Sequence, residues 1–165
     1  KMFRSFFRQS NYEYSNSVTK VKISISDDAI ALTQGLLQTT DTEERHDLSE
    51  QLLDELSDLA GIDIVDFVLI DDNQIHKKRD GKIVMKRYGS YRPGDKMISI
   101  HNRTAARGQI LAPKSYVDTL LHEWLHHYDF KKLKLNSIHS RGFYMRLNDL
   151  KDKLQIPKEK YDQSQ

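Results

Sequence analysis

Val117-Asp118-Thr119-Leu120-Leu121-His122-Glu123-Trp124-Leu125-His126 is the stretch on which the fold turns. Val117, Leu120, Leu121, Trp124 and, beyond it, Tyr128 recur at three- and four-residue intervals, the stripe of a helix laid on a core. Pro113 suits a first helical turn and Ser115 with Asp118 offers a cap, so a helix is expected from Pro113 to about Lys131. Four residues of helix rise about 6 Å and rotate about 400°, so the imidazoles of His122 and His126 leave the same face. Two ring nitrogens can then meet one zinc ion at about 2.0–2.1 Å. Glu123, offset by one residue, stands beside such a metal rather than on it, where it can take a proton from an attacking water.

Upstream of this helix the apolar period changes twice. Val21, Ile23 and Ile25 alternate with Lys22, Ser24 and Ser26, which predicts a half-buried strand. Asp27-Asp28 then caps a short helix carrying Ile30, Leu32, Leu36 and Leu37. A longer helix over about residues 41–60 has Leu48, Leu52, Leu53, Leu56 and Leu59 at helical spacing, an acidic outer face, and Gly61 as its stop. Strands are expected at 62–70, 82–88 and 96–100, separated by the turns Asp80-Gly81 and Pro93-Gly94 and arranged as a small meander. Downstream, Phe143, Leu147, Leu150 and Leu154 predict a last helix over about 140–154. Helices, then a small, mainly antiparallel sheet packed on the His-Glu-His helix, then helices again make an α+β arrangement. Residues 1–17, polar and aromatic without a period, are expected to form a loosely held tail, and 18–165 a single domain.

Composition narrows the chemistry. The chain of 165 residues is 38% hydrophobic and 30% charged, as folded globular domains are. It has no cysteine, which excludes disulfides, thiolate zinc ligands and cysteine nucleophiles and fits a cytoplasmic location. No apolar run approaches the roughly 18 residues of a membrane span, and residues 1–10 lack a continuous apolar signal core. The net charge of +2 hides a division: residues 1–73 hold 6 Lys+Arg against 15 Asp+Glu, and residues 74–165 hold 20 against 9. The basic half, with Lys77-Lys78-Arg79, Lys86-Arg87, Arg103, Arg107 and Lys131-Lys132, is a candidate surface for DNA. The plainer alternative is that the two halves attract each other.

A third metal ligand must come from elsewhere. Asp129 and Lys132 stand where one zinc-protease pattern needs Gly and His, and no Glu follows Glu123 until Glu159. His139 remains, four residues before Phe143 and so on the inward side of the last helix, with Asp149 as the alternative. Asp129 can orient a ligand imidazole. His127 is rotated about 100° from His126 and reads as a neighbouring or surface residue. His46, His76 and His101 have no partner at ligand spacing and read as structural or surface residues.

The segment 117–126 resembles the active-site helix of the SprT-like (Spartan-type) metallopeptidases. His139 with Phe143 is similar to that family's third histidine and the aromatic residue four positions on. Gly89-Ser90-Tyr91-Arg92 followed by Met97-Ile98-Ser99-Ile100 is similar to its Gly-x-Cys-Arg and strand segment, and the likeness covers about residues 85–150. Tyr91 replaces the family's Cys, Ser140 replaces a frequent Gly, and there is no cysteine for the family's zinc ribbon. The resemblance implies a zincin-like fold, zinc (Zn2+) held by His122, His126 and His139, and Glu123 as the general base in cleavage of protein or peptide substrates. For Spartan-type members it further implies substrates crosslinked to DNA. Tyr88, Tyr91, Tyr144 and Arg141 are candidates to stabilise the oxyanion, and the strand at 96–100, at a sheet edge, could hold an extended substrate. The alternatives are a DNA-independent regulatory metalloprotease and a non-catalytic zinc- and nucleic-acid-binding module.

Overall fold

Short polar side chains set most of the helix starts. Ser10, Ser26, Asp41 and Ser140 each accept a hydrogen bond from the backbone N–H three residues on, which satisfies one of the donors that a helix leaves open at its N-terminus. The computed structural model describes residues 10–71, 77–79, 82–85, 88–104 and 108–158, the side chains of 77–79 and 82–85 excepted. Within these, α1 is Asn11–Ser17, α2 Asp27–Leu36, α3 Thr42–Ala60, α4 Pro113–Lys131 and α5 Arg141–Lys153, with strands β1 Asp66–Ile70, β2 Lys77–Arg79, β3 Lys82–Met85, β4 Gly89–Arg92 and β5 Met97–His101. The chain is thus α+β, as expected.

Several expectations need correction. Residues 11–17 form a helix rather than part of a loose tail, and Ser15 on it is buried; residues 1–9 lie outside the described residues. Ser26, not Asp27-Asp28, caps α2, and the two acids occupy its first turn, where the helix dipole favours them. Helix α4 starts after Ala112 with no side-chain cap, so Ser115 and Asp118 lie inside it. Asp118 instead meets Lys151 of α5 at 3.1 Å.

The alternating segment at 21–25 is not a strand. Val21 and Ile23 are buried, so the alternation reports a real inward face, but no strand among the described residues lies beside it. Its polar groups are met by side chains: the Val21 N–H donates to Asp149 Oδ2 (2.9 Å), the Lys22 N–H to the Tyr128 hydroxyl (2.9 Å), and Lys153 Nζ donates to the Val21 carbonyl (2.9 Å).

The sheet is mixed, in the order β1-β5-β4, with β1 and β5 parallel and β5 and β4 antiparallel; β2 and β3 form a separate antiparallel pair. Among the described residues no meander is formed, and β5 takes the centre rather than an edge. Its two inward residues, Ile98 and Ile100, have no solvent exposure, which suits the position with neighbours on both sides. Register places Phe67, Ile98 and Tyr91 in one row and Leu69, Ile100 and Gly89 in the next. That face meets α4, while Leu52, Leu53 and Leu56 of α3 join Leu120, Leu121 and Trp124 in the same core. Each such fully buried side chain contributes about 1.5–3 kcal/mol by leaving water. Trp124 also finds a partner for its indole N–H in Ser57 Oγ at 3.0 Å.

Candidate metal centre

Helix α4 carries its buried stripe toward the core and leaves His122 and His126 on the opposite, half-exposed side, one turn apart. Facing them, the loop between α4 and α5 delivers His139 just before the Ser140 cap. His139 Nε2 lies 3.0 Å from His122 Nε2 and 3.0 Å from His126 Nε2. The three residues together offer ligand nitrogens within 4.8 Å of one another. Tetrahedral ligands at about 2.0–2.1 Å from zinc stand roughly 3.3 Å apart, so the spacing suits a single ion.

The chemistry of the donor set agrees. Burial pushes the His122 imidazolium down to about 4 and that of His126 to about 3, helped by the neighbouring histidines. Both rings are therefore neutral near pH 7, and their Nε2 atoms converge on that of His139. Phe143 of α5 backs all three rings: it stacks on His126 at 4.6 Å between centroids and presents edges to His122 at 5.0 Å and His139 at 5.4 Å.

A chain of hydrogen bonds fixes the orientation of His126. Its Nδ1 lies 2.8 Å from Ser137 Oγ, and that hydroxyl donates to Asp129 Oδ2 at 3.0 Å. Because the hydroxyl's proton goes to the carboxylate, Nδ1–H donates to the serine and Nε2 keeps its lone pair for the metal. Asp129 is linked to His126, then, but through Ser137. It is fully buried and held by two hydrogen bonds from Arg146, from Nε at 3.0 Å and from Nη2 at 2.7 Å. Arg146 in turn donates to the carbonyls of Ser15 and Val18.

Glu123 is buried on the same helix and lines the cleft beside the histidines. Glycine at 89 lets strand β4 approach it: a Cβ there would come within 2.8 Å of Thr119 Cγ2, 2.9 Å of Ile100 Cδ1 and 3.0 Å of Glu123 Cγ. The cleft, about 380 Å³, is bounded on this side by Gly89, Ser90 and Tyr91. The strand at 96–100, expected at a sheet edge, lies at the centre instead, and among the described residues Gly89–Arg92 is the outer strand on this side.

The other sequence candidates separate clearly. Asp149 is not near the histidines; it accepts from the Val21 N–H and from Lys153 Nζ (2.6 Å), and so ties residue 21 to α5. His127 is buried, with Nε2 donating to the Asp63 carbonyl at 2.7 Å, which leaves Nδ1 to accept from the Tyr91 hydroxyl at 2.8 Å. Tyr91 therefore spends its proton on His127, and burial pushes its phenol up to about 12. Tyr144 is exposed, its ring 6.3 Å from that of His122 and 6.1 Å from that of His139. Arg141 is exposed and Tyr88 half-buried. His46 pairs with Asp47 and lies against Phe67, His101 ends β5, and His76 lies outside the described residues.

Of the basic residues expected to face DNA, Arg103 pairs with Asp71 at 3.2 Å, Lys131 with Asp63 at 3.4 Å, and Lys132 donates to the Ala60 carbonyl at 2.9 Å. Asp63 also meets Lys96 at 3.4 Å, and these two lysines hold its carboxyl below the usual range. Here the acidic and basic halves of the chain do attract each other. Lys86, Arg87 and Arg107, with the side chains of Lys77, Lys78 and Arg79, lie outside the described residues. No helix among the described residues is long and apolar enough to cross a membrane. Neither a family model, nor a curated protein, nor a solved structure matches the chain.

Proposed function

We propose that this chain is a zinc-dependent metallopeptidase. The observation that carries the reading is the convergence of three imidazoles, His122, His126 and His139, in an open cleft that also holds Glu123 and runs along β4. Three histidines with an open fourth side are the ligand pattern of catalytic rather than structural zinc. A zinc ion bound there would polarise a scissile carbonyl and make water more acidic.

The residues supply the rest. A peptide laid along Gly89–Arg92 can exchange main-chain hydrogen bonds with the strand, which holds its backbone extended beside the histidines. Glu123 accepts a proton from the attacking water as oxygen adds to the carbonyl carbon. The same carboxyl then delivers that proton to the amine as the carbon–nitrogen bond breaks. Tyr144, whose hydroxyl is on an exposed ring beside two of the ligands, is the best-placed of the four candidates to donate to the developing oxyanion. This reading agrees with the resemblance to the SprT-like family and, on it, the fold is zincin-like.

The test is cleavage of an unfolded protein by the zinc-loaded chain, with Glu123→Gln alongside. The variant keeps its shape but cannot take the proton, so zinc content should hold while turnover falls by several orders of magnitude. Equal rates would sink the reading and favour a non-catalytic zinc-binding module. A DNA-linked substrate rests on charge alone, and the described basic residues named for it are engaged within the protein. The DNA-independent peptidase is therefore the form taken forward. Cleavage of a DNA-bound protein that depends on its DNA, at low and near-physiological salt, would reverse that choice.

A further inference from the structure

Strand β4 and helix α4 run alongside each other past the metal centre. Gly89 lies against Thr119 and Glu123, and Tyr91 reaches His127, so moving along the strand also moves toward the C-terminal end of the helix. Just past Tyr91, at the turn that follows β4, stands Pro93, and the turn of helix after His126 ends at Phe130. Both line the cleft. Phe130 is 39% exposed although it is a large apolar side chain on a helix that otherwise buries its aromatics, Tyr116, Trp124 and Tyr128, completely. Of the seven large apolar side chains exposed among the described residues, two others lie near the histidines. Ile138, immediately before the ligand His139, is 37% exposed, and Tyr144, whose ring flanks His122 and His139, is 46% exposed. An apolar rim around a polar, metal-binding floor is the usual construction of a site that grips a side chain while reacting with a backbone.

Distances set where that side chain lies. From Glu123 to Phe130 is seven residues of helix, about 10 Å. An extended substrate advances about 3.3 Å per residue, so a carbonyl beside Glu123 puts the side chain over Phe130 about three residues away. On β4 the free edge leaves room for this chain, since among the described residues the strand pairs only with β5.

We infer that the cleft selects an apolar, preferably aromatic, substrate side chain about three residues from the scissile bond, with Phe130 and Pro93 forming its seat and Phe130 determining the specificity. This rests on the peptidase reading above. The probes are matched soluble peptides that vary one position at a time among Phe, Leu, Ala and Asp on both sides of the scissile bond. Wild-type protein should cleave the best Phe peptide roughly tenfold or more faster, in kcat/KM, than its Ala counterpart, the scale on which an apolar pocket discriminates. Phe130→Ala should reduce that preference to about threefold or less, mainly through KM, without loss of zinc, and Phe130→Leu should restore part of it. Binding of the uncleaved peptides to zinc-loaded Glu123→Gln, followed by fluorescence anisotropy, should show the same ranking. A flat ranking in wild type, or a preference untouched by Phe130→Ala, would overturn the inference. Absence of cleavage together with an intact, Phe130-dependent binding preference would support the apolar seat and sink the peptidase reading instead.

Discussion

Asn11 and Asn136 hold each other twice. The Asn11 side-chain amide donates to the Asn136 carbonyl at 2.8 Å, and the Asn136 N–H donates to Asn11 Oδ1 at 2.9 Å. Asn136 belongs to the loop that carries Ser137 and His139, so a residue at the start of α1 fixes the backbone that presents the third ligand.

Asn11→Ala removes both bonds from an exposed position, where little apolar packing is at stake. Loss of ligand support of this kind costs metal sites about 10–100-fold in affinity. Zinc affinity measured by competition with a chelator should fall at the lower end of that range, while the melting temperature of the metal-free protein changes by only a few degrees. An unchanged affinity would show that the loop holds its shape without α1.

His139 and Asp149 can be tested against each other. His139→Ala should lower zinc affinity at least tenfold, since it removes a direct ligand. Asp149→Ala should leave zinc content intact and lower stability, because the Val21 N–H and Lys153 lose their shared acceptor. The opposite pattern in metal analysis would reassign the third position.

At Gly89 an added methyl group has nowhere to go. Gly89→Ala drives a Cβ against Thr119, Ile100 and Glu123, so β4 must withdraw from α4 or Glu123 must shift. Overpacking of this kind costs about 1–3 kcal/mol. Turnover should suffer more, by roughly 100-fold, because a displacement of about 1 Å at a catalytic group is enough for that. Zinc content should not change. Near-normal turnover in the folded variant would mean that the strand and Glu123 are not coupled.

The metal-free protein should lose stability in mild acid. Unfolded histidine titrates near about 6.5, whereas burial holds His126 at about 3 and His122 at about 4. Below the unfolded value the unfolded chain binds protons that the folded chain does not. Stability is therefore complete above about pH 6.5 and falls as the pH moves toward 4. Chemical denaturation of the metal-free protein at pH 7 and pH 5 measures the drop. A double variant, His122→Asn with His126→Asn, should show a visibly smaller one, and an equal drop would place the acid sensitivity elsewhere.

What the sequence discloses follows from how local each signal is. His122, Glu123 and His126 lie within five residues of one helix, so helical geometry alone brings them together. His139 could be named because few metal-binding side chains remained and because it precedes Phe143 on the core stripe. Strand direction is less accessible. Alternation shows that Phe67 and Leu69 face inward, but it does not say that β1 runs parallel to β5, and the segment around Val21 alternates as a strand would with no strand among the described residues beside it. Helix α1 carried a legible signal in Ser10 and Glu13, the spacing of a capping box, hidden by the polar composition around it. That Asp129 could bear on His126 was legible from their three-residue spacing, but the links through Ser137 and to Arg146 were not, because only the tertiary fold brings those residues in.

Arg146 closes onto Ser15 across 131 positions of chain, and Asn136 onto Asn11 across 125. Loops of that length are among the last to close as a chain folds, since their entropy must be spent before the contacts return anything. The grip on the third histidine is therefore assembled from the two far ends of the sequence. A partly folded or nascent chain holds two histidines on a helix but not the brace that aims the third. On the zinc-peptidase reading, tight metal capture would then be a property of the finished fold.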